Sequence, residues 1–447
     1  MSHVQSAVAG ETSLAGVEEQ LLGRWPETKL NPTLDRVAML MNLLGQPHTS
    51  FTSVQLTGTN GKTSTARMVE ALLAGSGTRT GRFTSPHLTT IRERISLDQH
   101  PIDTEAFLAA YAGVAEHAEH VDAVSSHPLS FFEMTVAMAY QAFAEHRVET
   151  AVVEVGMGGR WDATNVIDAD VATILPVSLD HTDYLGPTTT AIATEKAGII
   201  KPGALAITAR QDPDVEKVLR AHADAVGAQV VVEGDDFAVT RRATVEAGQV
   251  ISVRGVAGWY EDLPLTLRGP HQAQNAAVAV ATVEALRGGP LEVEVVRAAL
   301  HQVTSPGRFE IRPGPPPVIL DAAHNPHAAQ ALVGSLAELR PGRTAAVIAV
   351  MGDKDYEGFL REIEPAVDEV VCTRNSSPRS LPASQLAARA REVFGDHRVY
   401  VVADLATALA AARALAAPDP GLLPGDERVL VAGSVVTVGD AARLLTV

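Results

Sequence analysis

The run Val54-Gln55-Leu56-Thr57-Gly58-Thr59-Asn60-Gly61-Lys62-Thr63-Ser64-Thr65 decides how the rest of the chain is read. A short β-prone segment enters a glycine-bounded turn, and a lysine-threonine pair opens a helix through Ala66, Met68, Val69, Leu72 and Leu73. Glycines let the backbone approach an anion closely, and free N–H groups at a helix start point toward it. Lys62 adds a point charge for β- and γ-phosphates, and the Thr63 hydroxyl suits Mg²⁺. The common phosphate-loop pattern places four residues between its glycines. Here only Thr59 and Asn60 stand between Gly58 and Gly61, and Leu56 occupies the place of the first glycine. Strand, turn, lysine, hydroxyl and helix in this order point to a nucleotide-phosphate site, against an ordinary glycine turn before a helix.

A chain of 447 residues is too long for one core. Plentiful aliphatic and scarce aromatic residues suit an α/β protein with parallel strands buried on both faces. With 53 acidic and 36 basic residues the formal charge is −17, which argues against nucleic acid or anionic membrane as the main partner. The single cysteine, Cys372, excludes an intrachain disulfide and a multi-cysteine metal site. The first residues carry no Lys or Arg before Arg24 and include Glu11, Glu18 and Glu19, unlike a secretory signal. No apolar run approaches the ~20 residues of a membrane span. The expectation is a cytoplasmic protein, monomeric for want of a coiled-coil or exposed apolar stripe.

Residues 1 to about 12 read as loose, and helices are expected through Val17 and Leu21, and over Leu34 to Leu44. Further strands are expected at Ala151 to Val155, Val171 to Pro176 and Ala204 to Thr208, with helices at Leu129 to Phe143 and Ala191 to Ile200. Val230 to about Leu267 alternates and reads as a small antiparallel excursion before a helix from Gln272 to Leu286. Gly288-Gly289-Pro290, Pro306-Gly307 and Pro313-Gly314-Pro315-Pro316-Pro317 mark the expected seam. Beyond it, strands at Val318, Ala345, Glu369, Val399 and Val429 alternate with helices, a doubly wound parallel sheet.

Several polar residues fall at strand ends, where ligands of open α/β sheets bind. Glu154 closes one buried strand before Gly156-Met157-Gly158-Gly159 and is placed to reach Mg²⁺; Asp162, Thr164 and Asn165 follow it as candidates for a polar pocket. His181 stands between Asp180 and Asp183, a metal ligand with either acid as orienter. Lys196 lies in an apolar helix. It either pairs with Glu195 or snorkels, or, if buried and neutral, takes up CO₂ as a carbamate that ligates a second cation. Ser85, beside Pro86, offers a hydroxyl to an ion or a simple cap. Arg82, Arg92, Arg94 and Arg160 either pair with local glutamates or receive an anionic substrate. In the second half Asn275 carries an amide able to read an adenine edge, Arg308 stands at the seam, and Asp321 and His324 are candidates for ribose or phosphate.

Together these residues resemble the ATP-dependent Mur-type amide ligases, through Gly58 to Thr63. Ser85-Pro86-His87-Leu88, Glu154 to Asn165, Asp180-His181-Thr182, Glu195 to Pro202, His271-Gln272, Pro306-Gly307-Arg308 and Asp321 to Pro326 resemble one branch, the folylpolyglutamate and dihydrofolate synthases. Ala322 and Ala323 depart from it where many relatives carry glycine. The resemblance implies a phosphate-loop ATP-binding Mur ligase domain over residues 1–304 and a smaller Rossmann-like domain over 305–447 that closes the cleft and binds glutamate. It implies ATP held by Gly58, Thr59, Asn60, Gly61, Lys62, Thr63 and Ser64, completed by Asn275, Arg308, Asp321 and His324. Mg²⁺ would bind at Thr63, Ser85, Glu154 and His181, with a carbamylated Lys196 at a second cation site, and a monovalent cation is also admitted. The catalytic set would be Lys62, Glu154, His181, Lys196 and Arg308. A pterin would lie near Leu30 and Thr33, Phe131, Phe132 and Glu133, and Trp161, Asp162 and Ala163. The implied reaction joins L-glutamate to dihydropteroate or to the tail of reduced folates through an acyl phosphate.

One rival is a peptidoglycan-type ligase acting on a UDP-linked sugar. It is disfavoured by the branch-specific segments and by the expectation that no UDP-sugar domain precedes the loop. Another is an ATP-binding regulator without ligase chemistry. Replacing Lys62 by alanine should leave the chain folded, by circular dichroism, and abolish turnover; unchanged turnover would remove the phosphate-loop assignment.

Overall fold

A computed structural model describes residues 13–26, 32–416 and 426–445. The opening residues to about 12 and Leu30 lie outside the described residues. Strands β1 (Thr52–Thr57), β2 (Thr80–Phe83), β3 (Ile95–Leu97), β4 (His100–Pro101), β5 (Thr150–Glu154), β6 (Val171–Ile174), β7 (Leu205–Thr208) and β8 (Gln229–Val232) form one sheet, ordered β4-β3-β2-β5-β1-β6-β7-β8. From β2 to β8 the strands are parallel, and β3 and β4 add an antiparallel edge. The first strand therefore lies centrally, between β5 and β6, so the loop after it opens at a switch point of the sheet. That position is the structural reason the phosphate loop organises the domain.

The two faces of β1 do different work. Val54 and Leu56 enter a core shared with the helices Lys62–Gly75 and Pro270–Arg287. On the opposite face Gln55 donates to Thr164 Oγ1 at 3.1 Å, and Thr57 donates to the Gly158 carbonyl at 2.7 Å. The polar half of the strand thus holds the glycine turn that follows Glu154. A separate core on this side gathers helices Asp35–Leu43, Thr104–Val124 and Phe131–Glu145. The antiparallel excursion is β9 (Ala238–Val245), β10 (Gly248–Arg254) and β11 (Trp259–Leu265), which packs onto the helix Pro270–Arg287. Val230, expected to begin it, belongs instead to β8 of the large sheet.

The second sheet comprises β12 (Glu310–Arg312), β13 (Val318–Leu320), β14 (Thr344–Ile348), β15 (Glu369–Cys372), β16 (Val399–Val401) and β17 (Arg428–Ala432), ordered β12-β13-β17-β14-β15-β16. It is parallel except for β12 and has apolar cores on both faces. It is Rossmann-like in being open and doubly wound, but its strand order is its own. Two seam signals read differently in three dimensions. Pro313 to Pro317 is the connection of the antiparallel pair β12–β13, inside the second sheet. Gly288-Gly289-Pro290 joins helices Pro270–Arg287 and Val293–Gln302, both packed on Lys62–Gly75. Gly and Pro mark any sharp turn, so such runs could not separate a hairpin from a linker.

Arg82 is resolved by burial. Its Nε lies 2.6 Å from Glu70 Oε2, with both side chains at most 2 % exposed, and Ser96 Oγ and Gln99 N complete the Glu70 carboxylate at 3.1 and 3.2 Å. It is a structural cation and is not free to receive a substrate. Removing one partner of a buried pair leaves the other charge uncompensated, so Glu70→Ala should destabilise the first domain by about 3–5 kcal/mol. Urea unfolding followed by tryptophan fluorescence reads this; an unchanged midpoint would contradict it.

Candidate active site

Gly61 takes φ 88°, and a Cβ there would lie 2.8 Å from Asn275 Oδ1, so the turn requires glycine both for its backbone and for its neighbour. The Asn275 amide, expected at an adenine edge, is thus seated against the phosphate loop, and its Nδ2 donates to Gln272 at 3.1 Å. Lys62 is curled over its own loop, donating to the carbonyls of Gly58 at 2.9 Å and Thr59 at 3.2 Å. Lys196 donates to the same Gly58 carbonyl at 3.0 Å. It neither snorkels nor pairs with Glu195: the side chain is buried, and desolvation, with the nearby Lys62 charge, pulls its pKa down to about 7. Burial also lowers Lys62 and raises Glu154, whose opposite charges partly offset this. Thr63 Oγ1 lies 2.9 and 3.1 Å from the two Glu154 oxygens.

Asp180 gathers groups from both sheets. Lys354 Nζ lies 2.7 Å from its Oδ1, Asn325 Nδ2 donates to Oδ2 at 3.0 Å, and His324 Nε2 is 3.6 Å away. Burial alone would raise the Asp180 carboxyl, but His324, Lys354 and His181 together hold it well below the usual carboxylate range. His181 has φ 52° and caps the short helix Thr182–Leu185, its backbone N–H donating to Asp180 Oδ1 at 2.8 Å. Its Nε2 is 3.2 Å from Lys354 Nζ, and burial and that charge lower its pKa to about 3, so the imidazole is neutral. Of the two acids beside His181, Asp180 comes within 4.0 Å of its Nε2, whereas Asp183 is exposed. From the second sheet, Asp321 is buried and accepts from Phe309 N and Ala323 N at 2.8 Å each, and burial raises its pKa against the opposing charge of Arg308.

These groups border one cavity of about 480 Å³. Gly58 to Thr63, Ser85, Glu154, His181, Lys196, Asn275, Arg308, Asp321 and His324 all line it. Ser64 does not: it is buried against Ser305 and Gln272 at 3.0 and 3.2 Å. None of the described pterin candidates lines it. Glu133 caps its helix with Ser130 and pairs with Arg36 at 3.1 Å, and Thr33 accepts from Asp35 N. Asp162, raised by burial to about 6, accepts from Met157 N and Thr164 N, and Asn165 ties Arg160 to Gly198. These side chains brace the glycine turn and do not open a polar pocket. Phe131 and Ala163 are buried, whereas Phe132 covers Gly156 and Trp161 lies against Gly158, two glycines of the cavity wall.

The residues fit ATP with a divalent ion. Among the described residues no group of three His, Cys, Asp or Glu is assembled for a metal. The available donors are one carboxylate, one imidazole and hydroxyls beside a phosphate loop, which suits Mg²⁺ held by few protein ligands plus phosphate oxygens. His271 Nδ1 is buried in the cavity wall without a hydrogen-bond partner. Lys354 and His327, which lies 2.8 Å from Asn60 Nδ2, escaped the sequence reading. Gly352-Asp353-Lys354-Asp355 follows β14, so the strand-end rule that found Glu154 also reaches Lys354.

Comparison with known proteins agrees with this geometry. Residues 56–283 match the Mur ligase middle domain, and residues 307–435 match the Mur ligase, glutamate ligase domain. The dihydrofolate synthase/folylpolyglutamate synthase of Mycobacterium tuberculosis is 46% identical over 97% of this chain and 94% of its own. A crystal structure of Mycobacterium tuberculosis folylpolyglutamate synthase complexed with ADP and AMPPCP superposes with a TM-score of 0.93 at 45% identity, covering 97% of this chain and 98% of that one. A bifunctional folylpolyglutamate synthase/dihydrofolate synthase with Mn, AMPPNP and L-glutamate bound gives a TM-score of 0.83 at 29% identity, covering 98% of this chain and 99% of that one. With its phosphate loop, its two α/β sheets and near full-length identity of this order, the chain belongs to the Mur ligase family, in the branch of the folylpolyglutamate and dihydrofolate synthases.

Proposed function

We propose that the chain is an ATP-dependent ligase that joins L-glutamate to dihydropteroate, to the glutamate tail of reduced folates, or to both. The observation that carries this reading is the convergence of Lys62, Glu154 and Lys196 from the first sheet with Arg308, Asp321 and His324 from the second on one cavity. The relatives' bound ADP, AMPPCP, AMPPNP, Mn and L-glutamate support ATP, a divalent ion and glutamate as its ligands. We divide the chain at residues 304/305, with the second part closing the cleft and receiving glutamate. A monomer in the cytoplasm, with neither nucleic acid nor membrane as partner, is consistent with the −17 charge and the single, buried Cys372.

In this scheme Lys62 turns from the Gly58 and Thr59 carbonyls onto the γ-phosphate, while the N–H groups at the start of Lys62–Gly75 cradle the other phosphates. Arg308 faces the same phosphates from the second sheet and stabilises charge that develops during transfer. Thr63, Ser85, Glu154 and His181 would hold a divalent ion, which supplies charge neutralisation to the phosphates. The acceptor carboxylate attacks the γ-phosphate with loss of ADP, and the amine of L-glutamate then displaces phosphate from the acyl phosphate, losing a proton. Asp180, bridged by Lys354 and Asn325, joins the two sheets beside the cavity and helps exclude water during that interval.

Lys196, with a pKa of about 7, presents an unprotonated amine for about half the time near neutral pH, which suits capture of CO₂ as a carbamate that would serve a second cation, divalent or monovalent. ¹³C-bicarbonate should give a carbamate resonance that Lys196→Arg lacks; its absence from the unaltered protein would leave Lys196 a plain cation. Phosphate release from Mg-ATP and L-glutamate, tested with dihydropteroate, tetrahydrofolate and a UDP-muramoyl acceptor separately, tests the substrate. Release with both pterins is the bifunctional outcome, and tetrahydrofolate alone means tail extension. Release only with the UDP-sugar would overturn the reading.

A further inference from the structure

Asn325 stands behind the cavity wall, 2 % exposed, and its amide reaches two residues that line that wall, Asn60 and Asp180. It is the N-cap of the helix Pro326–Leu336, where its Oδ1 accepts from Ala328 N at 2.8 Å. At the other end of the amide, Nδ2 donates to Asp180 Oδ2 at 3.0 Å. A backbone N–H on one side and a carboxylate on the other admit a single assignment of oxygen and nitrogen, so the orientation of Asn325 is fixed. Capping alone asks only for an oxygen, which serine or aspartate supplies equally well. The N–H pair that reaches Asp180 and Asn60 is what asparagine adds.

That fixed amide determines the next one. Asn60 belongs to the phosphate loop, and its side chain meets Asn325 in a reciprocal pair, each Nδ2 donating to the other's Oδ1 at 3.3 Å. Turned over, Asn60 would set oxygen against oxygen and N–H against N–H. Held as it is, its Nδ2 also faces His327 Nδ1 at 2.8 Å, which makes that ring nitrogen the acceptor and leaves the imidazole proton on Nε2. Burial lowers the His327 pKa, in keeping with a neutral ring. One carboxylate of the first domain thus sets Asn325, Asn325 sets Asn60, and Asn60 sets His327.

We propose that Asn325 is a positioning residue for phosphoryl transfer, holding Asn60 of the phosphate loop and Asp180 beside His181 in one arrangement. This rests on the ligase reading of the same cavity. Gly58 and Gly61 give the loop around Asn60 a backbone with wide conformational freedom. A tether on the Asn60 side chain limits that freedom, so the loop N–H groups keep their aim at the transferring phosphate. Transfer tolerates little displacement, because its rate depends on alignment far more steeply than binding does. Asn325 does not itself line the cavity. It therefore acts on the rate through Asn60 and Asp180 and adds little to nucleotide affinity, which Lys62 and the N–H groups at the helix start carry.

The test compares kcat for glutamate-dependent phosphate release with the Kd of the ATP analogue AMPPNP and Mg²⁺ in Asn325→Ser and Asn325→Asp. Both variants keep a capping oxygen and lose the amide N–H groups, so a residue that only caps its helix leaves kcat where it was. In both, kcat should fall at least about tenfold while Kd changes by less than about threefold. In a double-mutant cycle, Asn60→Ala should cost Asn325→Ser much less than it costs the unaltered enzyme, because the two side chains act as one unit. Unchanged kcat, equal loss of kcat and affinity, or additive effects in the cycle overturn the role of Asn325 and leave the ligase reading standing. No phosphate release from the unaltered enzyme with any acceptor removes the ligase reading and this inference with it. Should Asn325→Ser fail to fold, the isosteric Asn325→Asp carries the comparison on the same criteria.

Discussion

Two lysine ammonium groups meet at a single backbone carbonyl, that of Gly58, at the carboxyl end of the central strand. Lys196 is buried and Lys62 half-buried, and desolvation lowers the proton affinity of both. Such an arrangement is unfavourable by itself and favourable once an anion arrives, because like charges in a poorly solvated site repel until a phosphate lies between them. Much of the molecule serves to hold it. β1 and its neighbours set the loop at the sheet's switch point, Thr57 fixes the glycine turn behind Glu154, and Leu175 packs so tightly on Gly58 that a side chain there would collide.

The second sheet contributes by reaching back to this point. Asn325 and His327 contact Asn60 of the phosphate loop, and Lys354 and Asn325 reach Asp180 beside His181. The polar bridge ties the loop, the imidazole and the second sheet together, so movement of one sheet against the other changes the loop's surroundings. A further bridge, Arg242 to Glu338 at 2.6 Å, joins the three-stranded sheet to the second domain away from the cavity. Contacts between the two sheets thus build part of the cavity's wall and its surroundings.

Some side chains that look chemical in sequence prove to be structural. Arg82, Glu133, Asp162 and Asn165 are polar residues near strand or helix ends, as Glu154 and His181 are. What separates them is where their partners lie: the first four find theirs within their own neighbourhood or in a buried pair, whereas Glu154 and His181 face the cavity. Letters report the residue type and its place on an element, and the count of satisfied hydrogen bonds appears only after folding.

The sequence by itself determined the alternation of strand and helix, the phosphate loop and the strand-end positions of Glu154, His181, Asp321 and His324. These follow from local rules: hydrophobic period, glycine conformational freedom and the polarity of parallel strands. Only the tertiary structure decided that β1 is central, that the proline-rich run Pro313 to Pro317 is a hairpin connection, and that Lys354 belongs beside His181. It also decided that Arg82 is paired with Glu70. The physical reason is that pairing, burial and strand order depend on contacts between residues far apart in the chain, and a carboxylate is committed or free only in relation to the groups folding brings to it.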